Sequence, residues 1–181
     1  MEDGLQERVT LGQGNPENSD LTHNALRLRP VDLPQDLFLA LPWYQDPEVL
    51  CFSEGEGTAP YDLETIERMY SNLSSRGECY IVEVRDEDGW HAIGDASLLP
   101  DGVPIVIGEH RLRGKGLGKR ILALLVDRAR RLGWKSIRVG KVFDYNDRAR
   151  RLYVRAGFTE TARGIDTFGR RFVALELQLD R

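Results

Sequence analysis

The residues best suited to chemistry lie in one strand-loop-helix transition, Ile105-Val106-Ile107-Gly108-Glu109-His110-Arg111-Leu112-Arg113-Gly114-Lys115-Gly116-Leu117-Gly118-Lys119. Glycines at 114, 116 and 118 carry no Cβ, so the backbone can approach a ligand closely where a helix begins. The first turn of that helix has N–H groups without helical partners, and the helix dipole places positive charge at the same end. Arg113, Lys115, Lys119 and Arg120 add cations around it. Together these features describe an anion site of the kind a pyrophosphate needs. Spacing separates the templates that compete for such a loop. A P-loop requires a glycine where Arg113 stands and Ser or Thr where Arg120 stands, and a dinucleotide fingerprint anchored on Gly114 and Gly116 requires a third glycine where Lys119 stands. A glycine-rich turn can also merely join strand to helix, so a second motif must separate that reading from a binding loop.

The second motif lies downstream, Asn146-Asp147-Arg148-Ala149-Arg150-Arg151-Leu152-Tyr153-Val154-Arg155-Ala156-Gly157-Phe158. With both motifs in view the chain resembles the GNAT (Gcn5-related) N-acetyltransferases over roughly residues 25 to 180. Their coenzyme A loop has the form Gln/Arg-x-x-Gly-x-Gly/Ala, which Arg113, Gly116 and Gly118 match, as do Arg111, Gly114 and Gly116. The downstream run is similar to the family signature Asn-x-x-Ala-x-x-Leu-Tyr-x-x-x-Gly-Phe at every fixed position.

The resemblance implies an acetyl-coenzyme A-dependent N-acetyltransferase. Two strands, ending at Gly108 and near Val142, would splay apart and take the pantetheine arm between them, with the cofactor held by Val106, Ile107, Gly108, Arg113, Gly114, Lys115, Gly116, Leu117, Gly118, Lys119, Asn146 and Tyr153. Backbone N–H groups near Ile107 and Gly108 would stabilise the oxyanion, at about 3 kcal/mol per donor. The Asn146 amide would hold the arm. Tyr153 corresponds to the tyrosine that bonds the coenzyme A sulfur, and it is the general-acid candidate; packing on the sheet beside Leu152 and Phe158 is its structural alternative, and the two are compatible. An ammonium acceptor must lose a proton before attack, and Glu109, just beyond the first strand, is the base candidate by position; His110, Asp95 and Asp144 are alternatives. The family branch that acetylates protein N-termini carries Glu five residues before the motif asparagine, where this chain has Lys141.

Acceptor choice falls to the segment 42–61, which is rich in acids and aromatics. Trp43, Tyr44, Glu54 and Glu56, with Asp95, are the substrate-binding candidates: carboxylates to pair ammonium groups and rings to pack on a carbon skeleton. An acidic surface loop is the competing reading. A small cationic amine is the first expectation, acetylation of a protein lysine or N-terminus the second, and a non-catalytic acyl-coenzyme A sensor the third.

These residues need a scaffold, and hydrophobic periodicity supplies one. Leu26 and Leu28 alternate with arginines as a strand does, followed by helices over 32–41 and 62–73 with an irregular acidic stretch between them. Strands follow at 78–84, 91–99 and 103–109. A helix over 116–132, with Leu117, Ile121, Leu124, Leu125 and Leu132 on its apolar face, is closed by Gly133. A strand at 136–142, a helix at 146–156 and strands at 158–162 and 171–179 complete the order. The expected architecture is α/β: a mixed, mostly antiparallel sheet of six to seven strands, with the splayed parallel pair in its middle and about four flanking helices. Residues 1–24 read as a flexible arm, 25–181 as one domain.

Composition excludes several classes. A chain of 181 residues with 41% hydrophobic content can build a core without staples. Cys51, Cys79 and three scattered histidines give no metal set. A net charge of −4 does not attract nucleic acid, and the polar, acidic beginning and absence of a ~20-residue apolar stretch point to a cytoplasmic protein with no membrane partner. A homodimer is expected by analogy alone.

Overall fold

The computed structural model describes Leu5–Gln6 and residues 25–179. Two sheets form, both antiparallel at every pairing. The first has the order β1 (Leu5–Gln6), β2 (Leu26–Pro30), β3 (Glu78–Asp86), β4 (Gly89–Leu98), β5 (Ile105–Ile107). In the second, β8 (Arg171–Gln178) lies between β6 (Ser136–Phe143) and β7 (Thr159–Ile165). The expected arm at 1–24 lies outside the described residues except for β1, which pairs with β2.

Helices cover the sheets on two sides. Beneath one face, α4 (Leu117–Arg131) and α5 (Asp147–Arg155) pack on Leu26, Leu28, Tyr80, Val82 and Ile93, with Tyr153 and Phe158 in the same core. On the other face α1 (Gln35–Ala40), α2 (Pro47–Ser53) and α3 (Leu63–Arg76) enclose a second core around Trp43, Tyr44, Ile66, Tyr70, Ile81 and Val106. β3 serves both, with Tyr80 and Val82 turned to one core and Cys79 and Ile81 to the other. That double burial is why its sequence is nearly continuous in apolar residues.

Four details differ from the expectation. The strand expected at 103–109 is three residues long, because Gly108 and Glu109 both donate their N–H to the Ile93 carbonyl and the chain turns away. β5 and β6 share no ladder, so they belong to separate sheets; Gly140 of β6 donates to the Asp101 carbonyl (3.2 Å) in the turn between β4 and β5. The stretch 42–61, expected to be irregular, contains α2. Its start is encoded locally: Asp46 caps the Glu48 N–H at 2.8 Å, Pro47 occupies the first turn, and Val49 and Leu50 bury the inner face. Finally, Leu132 lies beyond the end of α4 and is exposed, off the apolar face.

Candidate active site

A cleft of about 680 Å³ opens where β5 and β6 separate. Ile105, Val106 and Ile107 form its strand wall, the glycine loop and α4 one side, α5 another, and Val49, Phe52 and Ser53 of α2 the last. Strand alternation turns the N–H and carbonyl of Ile107 away from β4 and towards the opening. Gly108, by contrast, spends its N–H on Ile93 at 2.8 Å, so of the two oxyanion donors implied by the resemblance only Ile107 faces the splay. Gly108 has a second reason to be glycine: a Cβ there would lie 2.1 Å from the Trp43 ring.

The loop that follows is held open by conformation. Gly114 and Gly116 have φ of 76° and 88°, a region that favours glycine, and a Cβ at either would meet nothing within 4 Å. Gly116 caps α4 without a side-chain hydrogen bond, which leaves the helix mouth facing the cleft. Gly118 has a packing role instead, since its Cβ position lies 3.4 Å from Leu152 of α5. Leu117 is buried beneath the loop, while Lys115 and Lys119 are exposed beside it.

Arg113 does something the motif did not reveal. Its side chain is 8% exposed, and the guanidinium reaches the carbonyls of Ile107 (2.8 Å) and Gly108 (2.7 Å) and the carboxylates of Asp46 (2.7 Å) and Glu48 (2.9 Å). The side chain is thus a tie between the end of β5 and the start of α2, with its donors committed inside the protein. Burial works to raise the Asp46 pKa, but the hydrogen bond from Arg113 leaves it below the usual carboxylate value. Glu48 also lies 3.7 Å from Arg148 and 3.6 Å from His110.

Asn146 is likewise occupied: its side-chain oxygen caps the Ala149 N–H at 3.1 Å and its amide donates to the Phe52 carbonyl at 3.2 Å. Tyr145 adds to this tie, donating to the Cys51 carbonyl and accepting from the Glu56 N–H, each at 3.0 Å. The last turn of α2 and the segment after it are therefore laced to the β6 side as the start of α2 is laced to the β5 side.

The two catalytic candidates are far apart. Tyr153 is buried against Phe158 and donates to the Val103 carbonyl at 2.9 Å, in the turn that leads into β5. Burial holds its hydroxyl well above the usual tyrosine pKa. Glu109 lies at the other end, bonded across to Ile93, whereas Pro104 is bonded across to Ser97. Ile93 and Ser97 are four residues apart along β4, about 13 Å at the rise of a strand. The Glu109 carboxylate is 3.8 Å from Arg111.

Of the substrate-binding candidates, Trp43, Tyr44 and Asp95 are in the core and Glu54 and Glu56 are exposed. Asp95, 4% exposed, receives hydroxyl bonds from Tyr44 (3.0 Å) and Tyr70 (2.8 Å). Burial pushes its pKa up to about 7 against the lowering effect of both hydroxyls. Tyr44 stacks on Tyr61, whose pKa is pushed up to about 12 by burial and the neighbouring Glu54. Residues the motifs did not single out include Val49, Phe52 and Ser53 on α2 and Arg151 and Arg155 on α5. The α5 arginines were legible as cations; their placement on the cleft follows only once α5 is seen to pack beside Gly118. Among the described residues no cluster of metal ligands occurs, and no helix is long and apolar enough to cross a membrane.

This arrangement, a splayed strand pair with a glycine loop at a helix mouth, is that of a known class of transferase. The family model for the acetyltransferase (GNAT) domain matches residues 25–159, and the chain belongs to that family. No curated protein sequence matches the chain. Solved structures share the fold. A domain from Methanocaldococcus jannaschii DSM 2661 is 23% identical, with a TM-score of 0.70 over 86% of this chain and 99% of its own. Spermidine N-acetyltransferase from Vibrio cholerae, solved with CoA and spermine, is 19% identical (TM-score 0.70, 84% and 95% covered). Aminoglycoside acetyltransferase AAC(6')-Ib, solved with coenzyme A, is 20% identical (TM-score 0.69, 84% and 94% covered).

Proposed function

We propose that the chain transfers the acetyl group of acetyl-coenzyme A to a primary amine of a small cationic molecule, by direct attack within a ternary complex. The observation that carries this reading is the uncapped mouth of α4 behind Gly114 and Gly116, opening into the cleft between β5 and β6. That mouth suits the diphosphate, and the outward N–H of Ile107 suits a carbonyl of the pantetheine arm on its way to the Tyr153 end of the cleft. Attack by the amine nitrogen forms the C–N bond and breaks the C–S bond; the sulfur leaves with the electron pair and takes a proton from the Tyr153 hydroxyl, and the tyrosinate is reprotonated by the proton that the new amide nitrogen sheds. That hydroxyl stays protonated through the neutral range, as an acid requires.

Glu109 lies at the phosphate end of β5, so the proton of the incoming ammonium passes instead to solvent. Glu54 and Glu56 on the turn after α2 favour a cationic acceptor, and structurally similar acetyltransferases were solved in complex with spermine and with kanamycin. Purified protein with acetyl-coenzyme A and a panel of polyamines, aminoglycosides, amino acids and lysine peptides tests the reading through release of free thiol. Turnover on a small amine, falling about 10- to 100-fold in kcat for Tyr153→Phe with the KM for acetyl-coenzyme A little changed, is the expected result. Tight cofactor binding without turnover on any amine would make the chain a sensor.

A further inference from the structure

The diphosphate does not account for the cations along this cleft. Arg113 is satisfied inside the protein and Arg148 lies near Glu48, yet α5 places two further arginines, Arg151 and Arg155, on the cleft wall. Both are exposed, and neither has an acidic partner among the described residues. They are one helical turn apart and so present their guanidinium groups side by side. Their position is fixed by a neighbour: Leu152 touches the Cβ position of Gly118 in the first turn of α4, so Arg151 stands beside the phosphate loop. Between the arginines the wall is apolar, formed by Leu152 with Ala149 and Ala156. In a chain of net charge −4, an unpaired cationic row lined with small apolar residues is a local reversal that calls for an anionic ligand.

Arg130, which lines the far end of the cleft, cannot share this task. It lies fourteen residues along α4 from the Gly116 cap, about 21 Å at the rise of a helix.

Resting on the coenzyme A reading of the cleft, we infer that Arg151 and Arg155 form a subsite for a third phosphate, the one on the 3′ position of the coenzyme's ribose, and that the protein selects coenzyme A over its 3′-dephospho form. The ribose and base lie along the Ala149, Leu152 and Ala156 strip while the phosphate takes the fork of Arg151. Arg155 supplies the second donor.

Calorimetric titration of the full chain with coenzyme A and with 3′-dephospho-coenzyme A tests this. The expected result is that coenzyme A binds about 10- to 100-fold more tightly, the scale of charge-assisted hydrogen bonds to a phosphate. Arg151→Ala should remove most of that preference and Arg155→Ala part of it, with affinity for the dephospho form held within about twofold. Because both side chains are exposed, neither variant should alter folding, and the dephospho form reports the integrity of the rest of the site in the same experiment. Equal affinity of the wild-type chain for the two forms, or an equal loss for both in Arg151→Ala, would overturn the subsite while leaving the coenzyme A cleft intact. Failure of both forms to bind would instead remove the coenzyme A reading, and the subsite with it.

Discussion

The cleft has two walls built on different principles. The wall of β5, the glycine loop and α4 works through its backbone: φ values of 76° and 88° at Gly114 and Gly116, an uncapped helix mouth, and an outward N–H at Ile107. The wall of α2 and its following turn works through side chains that reach distant parts of the chain. Arg113 meets Asp46 and Glu48 across more than sixty residues, Tyr145 meets Cys51 across more than ninety, and Tyr44 and Tyr70 converge on Asp95. Backbone chemistry is written locally, as glycines in order. Side-chain chemistry is written in pairs that become visible only in the fold.

The largest effect should come from the backbone wall. Gly116→Glu puts a side chain into the left-handed region and a negative charge at the positive end of α4, and should weaken coenzyme A binding about 100-fold or more, measured by calorimetry. Retained affinity would show that α4 does not present its mouth to the phosphates. The next prediction addresses the tie between the walls. Arg113→Ala strands two carboxylates and two carbonyls, and should lower stability by about 2 to 3 kcal/mol in urea unfolding. In the comparison drawn above it should also raise the KM for the amine more than that for acetyl-coenzyme A. The reverse ratio would mean that Arg113 serves the cofactor directly.

The third prediction concerns Asp95, the buried acid beneath Tyr44 and Tyr70. The folded pKa of Asp95, about 7, lies above the unfolded value of about 4, so between those limits the folded state binds the extra proton. This group therefore contributes stability that is present below about pH 4, declines as pH rises towards 7, and is flat beyond. Asp95→Asn should remove that decline, so the stability difference between variant and wild type should shift in the variant's favour from pH 4 to 7. A difference independent of pH would show Asp95 to be charged throughout the range.

Most of the scaffold was legible in the sequence: β2, α3 and α4 each bury a regular stripe, β3 is a continuous apolar run, and α5 carries the downstream motif. α2 was not, since a seven-residue helix is too short to show a period and its acids suggested a loop; only the Asp46-Pro47 start signalled it. In the site, Gly114, Gly116, Gly118, Lys119 and Tyr153 line the cleft. The motif could not show that Arg113 and Asn146 are engaged within the protein, because their partners Asp46, Glu48 and Phe52 are remote in sequence. Trp43, Tyr44 and Asp95 had the right residue types for an acceptor pocket, but aromatic and buried acidic groups suit a core equally well once the acid has two hydroxyl donors.

The most direct measurement of acetyl transfer is to incubate the full chain with acetyl-coenzyme A carrying an isotopic label in the acetyl group, together with spermine, kanamycin and a lysine peptide at equal concentration, and to follow the label by mass spectrometry. Label on a primary amine of a small cation, in equal amount to the thiol released, is the predicted result; label confined to the peptide, or none at all while coenzyme A still binds, would contradict it.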